Sequence, residues 1–448
     1  MTPKKLILVV IDGLTPSMLE AAIASGRAPT LGALASAGSY RRLTSVFPSL
    51  TPVCLASIAT GAHGDVHEIP HLAWYHRGER RLVEYGSSFG AVRAAGVGRT
   101  LRDSLVNMNA GHLGRRAVTL FEALADAGLE TAAVNFMAYR GRTRHRGGLP
   151  FLGAVNGPQR FFFYNLFQSE RTGAPLSWRN RAAGTVDAYA AAVGRWLVTR
   201  DGFDFLLYYL SDYDYASHER GPDVAFEVLA RCDDAIAALA TAAGGVDDLL
   251  ERYAVLVMSD HGQTRVRDVA SLGERFADVD GSLVVASNRA AQVYRLETCL
   301  LDARQLAARL DPEPSVDVAL FREDAEAVAR KGGEELRFAP GPDGAWRSSG
   351  DVTLLDHPDA FSRAWAALAN PNAGEVLVSA ADGWEFTDLG GCHHIGGGSH
   401  GSLLAGDSEV PLLAVGVDGE ARSIVDVAPL VLRHFGVSTP AYALDRAA

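Results

Sequence analysis

Leu6-Ile7-Leu8-Val9-Val10-Ile11-Asp12-Gly13 is the stretch on which the fold turns. Six consecutive apolar residues read as a strand covered on both faces, because a strand with one wet face would alternate. Basic residues from Met1 to Lys5 precede it, as in a signal peptide. The apolar run is too short for that, and it ends in Asp12-Gly13 with no small-residue cleavage site. Thr131–Asn135, Phe205–Leu210, Ala254–Met258 and Leu412–Val415 have the same character. Amphipathic segments lie between them: Thr30–Ala37, Ala117–Ala127, Ala182–Leu197 and Val224–Ala240. This alternation predicts an α/β fold, a doubly wound and mostly parallel sheet with helices on both faces. Ligands of such sheets bind beyond the carboxyl ends of the strands.

The 448 residues read as one domain, 1–448, with insertions expected at 76–180 and 273–397 that would cap the site. The first is rich in Gly, Arg and aromatics; the second mixes short strands with Pro/Gly turns. A net charge of −11, from 42 basic and 53 acidic residues, argues against stable nucleic-acid binding, which needs a basic footprint. Cys54, Cys232, Cys299 and Cys392 are far apart, so neither a zinc ribbon nor a disulfide framework is expected, and a reducing, cytoplasmic compartment is. No run is long enough to span a membrane.

Four expected strand ends carry acidic residues or histidine. The first ends in Asp12-Gly13, another in Ser211-Asp212-Tyr213-Asp214 with His218 following, and a third in Ser259-Asp260-His261-Gly262; late in the chain comes Ser399-His400-Gly401. A single aspartate after a strand commonly caps the next helix or makes an Asx turn. Four such ends together, three with a histidine, share a purpose as metal ligands, since Asp and His supply the oxygen and nitrogen donors of catalytic zinc sites. Asp214 and His218 fall on one face of a helical turn, which favours Asp214 over Asp212. Glycines 13, 262 and 401 permit tight backbone turns.

Thr51-Pro52, followed nine residues later by Gly61, reads as a helix with Thr51 as its N-cap. A threonine there is either a plain cap or a hydroxyl placed where the helix dipole and free N–H groups favour a phosphate. A nearby metal would make it a nucleophile.

With these pieces in order, the chain resembles the alkaline phosphatase superfamily, and within it the type I phosphodiesterase / nucleotide pyrophosphatase branch. The matching residues are Val10–Gly13, Phe47–Thr51 with Ala59–Gly61, His67, Asp214–His218 with Gly221-Pro222, Ser259–Gly262 and Ser399–Gly401. The resemblance implies an alkaline phosphatase-like domain holding two divalent ions, zinc first and manganese as the alternative. Asp12, Asp260 and His261, completed by Thr51, would hold one; Asp214, His218 and His400 would hold the other. It implies a phospho-Thr51 intermediate in the hydrolysis of a small-molecule phosphodiester or pyrophosphate, nucleotide-type substrates included. Phosphomonoester or phosphonate hydrolysis on the same core is the alternative, and a non-catalytic binding homologue would have no need of the full ligand set. Two positions depart from the family pattern: Leu72 stands where an asparagine binds a phosphate oxygen, with His71 beside it as a substitute, and Glu68 replaces a glycine.

Trp74 and Tyr75 are expected to line the substrate pocket. Arg140, Arg142 and His145, in the run Arg140–Arg146, form either a solvated loop or an anion clamp. Phe161–Tyr164 is cap core or a stacking surface. His393 and His394 are loop residues or supports for the site. Cys54 invites a sulfatase reading, but Cys54-Leu-Ala-Ser-Ile58 lacks the C-x-P-x-R motif.

Overall fold

The computed structural model describes residues 3–148, 152–176, 185–342 and 344–444. Its centre is an eight-stranded sheet. In spatial order the strands are Ser39–Thr44, Glu409–Val415, Tyr253–Met258, Lys5–Ile11, Phe205–Leu210, Thr131–Val134, Arg160–Phe163 and Phe167–Ser169. The five from Tyr253–Met258 through Arg160–Phe163 run parallel. Each expected strand exists, within a few residues of its expected bounds. Glu409–Val415 is nevertheless antiparallel to both its neighbours, because its apolar run specifies burial and leaves direction open.

The apolar runs are continuous because alternate side chains enter opposite cores. Leu6, Leu8 and Val10, with Leu207 and Leu256, pack on one face beneath the helices Thr51–Thr60, Leu120–Asp126 and Val427–His434. Ile7, Val9 and Ile11, with Leu206 and Val257, pack on the other beneath Pro16–Ala24, Pro29–Ala37, Val186–Thr199 and Phe226–Ala243.

The expected insertion at 76–180 is corrected in part. Thr131–Val134, Arg160–Phe163 and Phe167–Ser169 are strands of the central sheet, with Phe161 and Phe162 buried in its two cores. The aromatic run that read as cap core is therefore central strand. The Ala182–Leu197 expectation starts outside the described residues; the helix there runs Val186–Thr199.

Residues 282–350 and 376–380 build a second, seven-stranded antiparallel sheet. Val318 and Leu320 face one apolar cluster, shared with Ala360, Ala364 and Ala367 of the helix Ala360–Leu368. Ala319 and Phe321 face another, shared with Leu306 and Ala307 of the helix Ala303–Ala308. This sheet meets the first where its hairpin Ser282–Ser287/Ala290–Arg295 reaches His400: Arg289 N donates to His400 O at 2.9 Å. Among the described residues no helix is long and apolar enough to cross a membrane.

Candidate metal centre

Three adjacent parallel strands end at the same level, since Val10 is in register with Met258 on one side and Tyr209 on the other. The residues that follow, Asp12, Ser259-Asp260-His261 and Ser211–Asp214, therefore converge by geometry of the sheet alone. Gly13 makes the close approach possible. It adopts φ +70°, and a Cβ there would lie 2.7 Å from Asp214 Oδ1 and 2.8 Å from Gln263 Nε2. Gly262 is needed for space, as its Cβ would lie 2.2 Å from Gly406 O.

Asp214 and His218 share the helix Asp212–Arg220, with His218 Nε2 3.3 Å from Asp214 Oδ2. Asp212 instead accepts from Asp187 N–H at 3.3 Å. His400 arrives on Gly398–Ser399, a short strand paired with Thr264–Arg265. Its ring stacks on His261 at 3.6 Å between centroids, and its Nε2 is 4.0 Å from Asp214 Oδ1. Two sets of donor atoms, each within 4.8 Å of one another, result: Asp12, Asp260 and His261, and Asp214, His261 and His400.

Each histidine is oriented in the same way. His218 Nδ1 lies 2.8 Å from Gly398 O, His261 Nδ1 3.0 Å from Gly262 O and His400 Nδ1 2.7 Å from Ser49 O. A carbonyl only accepts, so each Nδ1 carries a proton and each Nε2 faces the cluster. Such carbonyl-fixed imidazoles are the usual form of metal-bound histidine. Asp12 Oδ1 and Asp260 Oδ2 are buried without a hydrogen bond, and both face His261 Nε2, at 3.2 and 3.5 Å. Tyr209 hydroxyl donates to Asp12 Oδ2, and Gln263 Nε2 to Asp214 Oδ1.

The carboxyl groups and histidines of the cluster perturb one another strongly. Burial, then the neighbouring carboxylate, raises the pKa of Asp260 well above the ordinary range; burial and Asp214 raise Asp12. Burial also opposes ionisation of Asp214, but His218, then His400 and His261, hold its carboxyl well below the usual range. Burial disfavours charge on His261, yet Asp260 and Asp12 push its pKa up to about 10. Burial, then His261, holds His400 well below its ordinary value. Carboxylates this crowded do not all ionise unaided, and the oxygen and nitrogen donor set fits divalent zinc or manganese.

Thr51 begins the helix Thr51–Thr60, whose capping position is Leu50. The expected Thr51 cap is corrected: its hydroxyl lies 3.1 Å from His261 Nε2 and bonds no backbone N–H of the first turn. The N–H groups of Val53 and Cys54 both bond Leu50 O, and Pro52 has none. That leaves less free N–H at this helix end than expected, with the Thr51 amide its remaining donor.

The cluster floors a cavity of about 380 Å³, walled by Leu55, Leu72, Met137, Phe163, Tyr164 and Leu166. The other sequence expectations for this pocket divide. Trp74 and Tyr75 lie outside it: Trp74 is buried against His76 and His112, and Tyr75 packs on Tyr294. His71 is also outside, buried with its Nδ1 accepting from Ala73 N–H at 3.2 Å, and burial lowers its pKa to about 4. Arg140 bonds Glu122 and the carbonyls of Leu113, Gly114 and Ala117; Arg142 bonds Glu122 and Asp126. His145 is held between Ser169 Oγ and Pro158 O. The anion clamp is thus corrected to a structural staple, since these groups already have protein partners. His394, bonded to Glu385 at 2.6 Å and 4.3 Å from the His218 ring, does line the cavity.

Sequence reasoning missed Tyr85, Tyr209, Asn288 and Tyr215 in the cavity lining. Tyr209 carried a signal, as a polar ring within an otherwise apolar central strand. Glu68, at the position usually glycine, has φ 67°; the backbone keeps the left-handed form that glycine serves. A third donor group, His76, Glu79 and His112, stands elsewhere. There His76 Nδ1 accepts from Glu79 N–H and Glu79 is bonded to Arg81, so it is a weaker candidate than the central one.

The fold is alkaline phosphatase-like. The family model for type I phosphodiesterase / nucleotide pyrophosphatase matches residues 6–403, and the chain belongs to that family. Phosphonoacetate hydrolase from Sinorhizobium meliloti 1021, in complex with phosphonoformate, is similar in structure at 20% identity and TM-score 0.65, covering 97% of this chain and 96% of that one. Murine ectonucleotide pyrophosphatase / phosphodiesterase 5, an inactive form in complex with AMP, is similar at 14% identity and TM-score 0.63 over the same shares. Its human counterpart is similar at 14% identity and TM-score 0.63, again over those shares. No curated protein sequence matches the chain.

Proposed function

We propose that the protein hydrolyses a small-molecule phosphodiester or pyrophosphate through Thr51, with Asp12, Asp260 and His261 holding one divalent ion and Asp214, His218 and His400 the other. Zinc suits the mixed Asp/His donors best, and manganese is the alternative. The observation that carries this reading is Thr51 Oγ1, at the start of a buried helix and 3.1 Å from His261 Nε2, at the floor of the cavity. When bound, the ions would lower the pKa of the attacking hydroxyl and neutralise charge on the phosphoryl oxygens.

The remaining steps belong to the chain. Thr51 Oγ1 loses its proton to solvent and attacks phosphorus in line; the Oγ1–P bond forms as the bond to the leaving oxygen breaks. The leaving group takes a proton from water. A second water then cleaves the phospho-Thr51 ester and restores the hydroxyl. Phe163 and Tyr164 offer faces on which a flat leaving group, a nucleobase included, would stack. The four cysteines are free, which fits a reducing, cytoplasmic setting.

Phosphonate hydrolysis is the second reading, favoured by the likeness to phosphonoacetate hydrolase. A phosphonate with a second acidic group would want a cation beside it, and the described cavity-lining residues include neither lysine nor arginine. That favours a singly charged diester with an apolar or aromatic substituent.

Metal-loaded protein and Thr51→Ala should be incubated with bis(p-nitrophenyl) phosphate, p-nitrophenyl phosphate, a nucleotide phenyl ester and phosphonoacetate. The bis-ester or the nucleotide ester should turn over in the native protein only. Turnover of the monoester or the phosphonate alone would overturn the diesterase reading.

A further inference from the structure

Asn288 stands at the tip of the hairpin from the second sheet, where that sheet meets the central one. Its backbone is left-handed, φ 56°, a conformation asparagine tolerates better than most residues. The tip is held firmly. Asn288 O accepts from Phe386 N–H at 2.8 Å, and Arg289 N donates to His400 O at 2.9 Å. The buried Arg289 guanidinium bonds Asp407 Oδ1 at 3.1 Å and Ala381 O at 3.0 Å.

The side chain is held equally well at one end. Ser287 Oγ donates to Asn288 Oδ1 at 3.0 Å, which fixes the amide oxygen and leaves Nδ2 on the opposite side, in a residue that lines the cavity. There Nδ2 lies 3.1 Å from His400 Nε2. His400 Nδ1 carries the proton donated to Ser49 O, so Nε2 is the acceptor and Asn288 the donor. The residue is 6% exposed.

We propose that Asn288 is a substrate-binding residue whose amide N–H holds a non-bridging oxygen of the phosphoryl group on the His400 side of the cavity. This rests on the reading given above for the site. A metal ion on His400 would take the lone pair that now accepts from Nδ2. A buried amide donor left without an acceptor is unfavourable, and a phosphoryl oxygen bound in the cavity would supply that acceptor in place of water. A neutral N–H donor also suits a singly charged phosphoryl group in a cavity whose described lining residues include neither lysine nor arginine. The second sheet would thereby supply a substrate contact and not merely a wall.

The test uses the full chain loaded with zinc, comparing Asn288→Gly and Asn288→Asp with the native protein. Glycine accepts the left-handed backbone and removes the amide; aspartate keeps the shape and replaces the donor by an acceptor. Three quantities are read: bound zinc per chain, the dissociation constant for inorganic phosphate by calorimetry, and kcat/KM for bis(p-nitrophenyl) phosphate. Both variants should hold zinc like the native protein, bind phosphate about tenfold more weakly, and lose about 100-fold in kcat/KM, as for loss of one donor to a developing oxyanion. Phosphate affinity unchanged in both variants would overturn the proposal. So would a loss of zinc in step with the loss of phosphate binding, since Asn288 would then support the metal site. If the native protein leaves the bis-ester untouched, the diesterase reading fails, and the phosphate titration still decides the role of Asn288.

Discussion

Replacing Tyr209 by phenylalanine removes one oxygen atom beside the candidate metal centre and little else. The ring is 7% exposed and meets Phe136 edge-on at 6.2 Å, so phenylalanine fills the same space. The hydroxyl's partner is Asp12 Oδ2; the other oxygen, Oδ1, already lacks a hydrogen bond. A hydrogen bond to a charged acceptor contributes about 1.5–3 kcal/mol. At ~1.4 kcal/mol per factor of ten, that is about 10–100-fold in zinc affinity, the range typical of residues that orient metal ligands. Metal-free protein escapes most of this cost, because Asp12, its pKa already raised by burial, can take up a proton. Its stability should change by under about 1 kcal/mol. Zinc affinity is measured by competition with a chromogenic chelator near neutral pH, and metal-free stability by urea unfolding. Native zinc affinity in the variant would refute the placing of Asp12 at the metal. A metal-free form weakened by several kcal/mol would refute the escape by protonation.

Arg140→Ala tests the correction of the basic run. Removing its bonds to Glu122 and three carbonyls should destabilise the fold by about 2–4 kcal/mol, read by urea unfolding, with KM for the preferred ester unchanged; a raised KM would restore the anion clamp. Gly13→Ala places a Cβ 2.7 Å from Asp214 Oδ1 in a left-handed backbone. It should destabilise by about 1–2 kcal/mol and lower zinc content, measured by elemental analysis. In the metal-free protein the His261 pKa rises from 6.5 to about 10. The stability it contributes is whole below 6.5 and is lost as pH climbs through 10. Zinc displaces bound protons, so its affinity should rise with pH by up to about tenfold per unit for each proton released. Calorimetry in buffers of different ionisation enthalpy counts the protons; a count of zero would contradict the geometry.

The fold class was legible because burial on both faces is a local property of a strand. Leu6–Ile11 is apolar throughout and Phe205–Leu210 nearly so, because both faces of each strand are buried. The convergence of the strand ends that carry Asp and His was legible for a related reason. In a parallel sheet, residues after adjacent strands come together whatever the connections between them, so Asp12, Asp214 and Asp260 needed only their strands to be recognised. Leu72 in the cavity lining was a departure visible in the chain itself.

Other features depended on partners far away in the sequence. The direction of Glu409–Val415 is a matter of connection, on which its own residues are silent. Arg140 and Arg142 looked available because Glu122 and Asp126, which engage them, lie on another element. Trp74 follows the Thr51 helix closely but turns into the core, while Phe163 and Tyr164, over a hundred positions beyond Thr51, wall its cavity. Asn288 lies on a hairpin whose sequence carries no sign of His400. The Asp and His residues and Thr51 could be named from the chain because their chemistry is their own and the parallel sheet gathers strand ends. Which residues surround the substrate follows from packing between elements, and that exists only once the chain has folded.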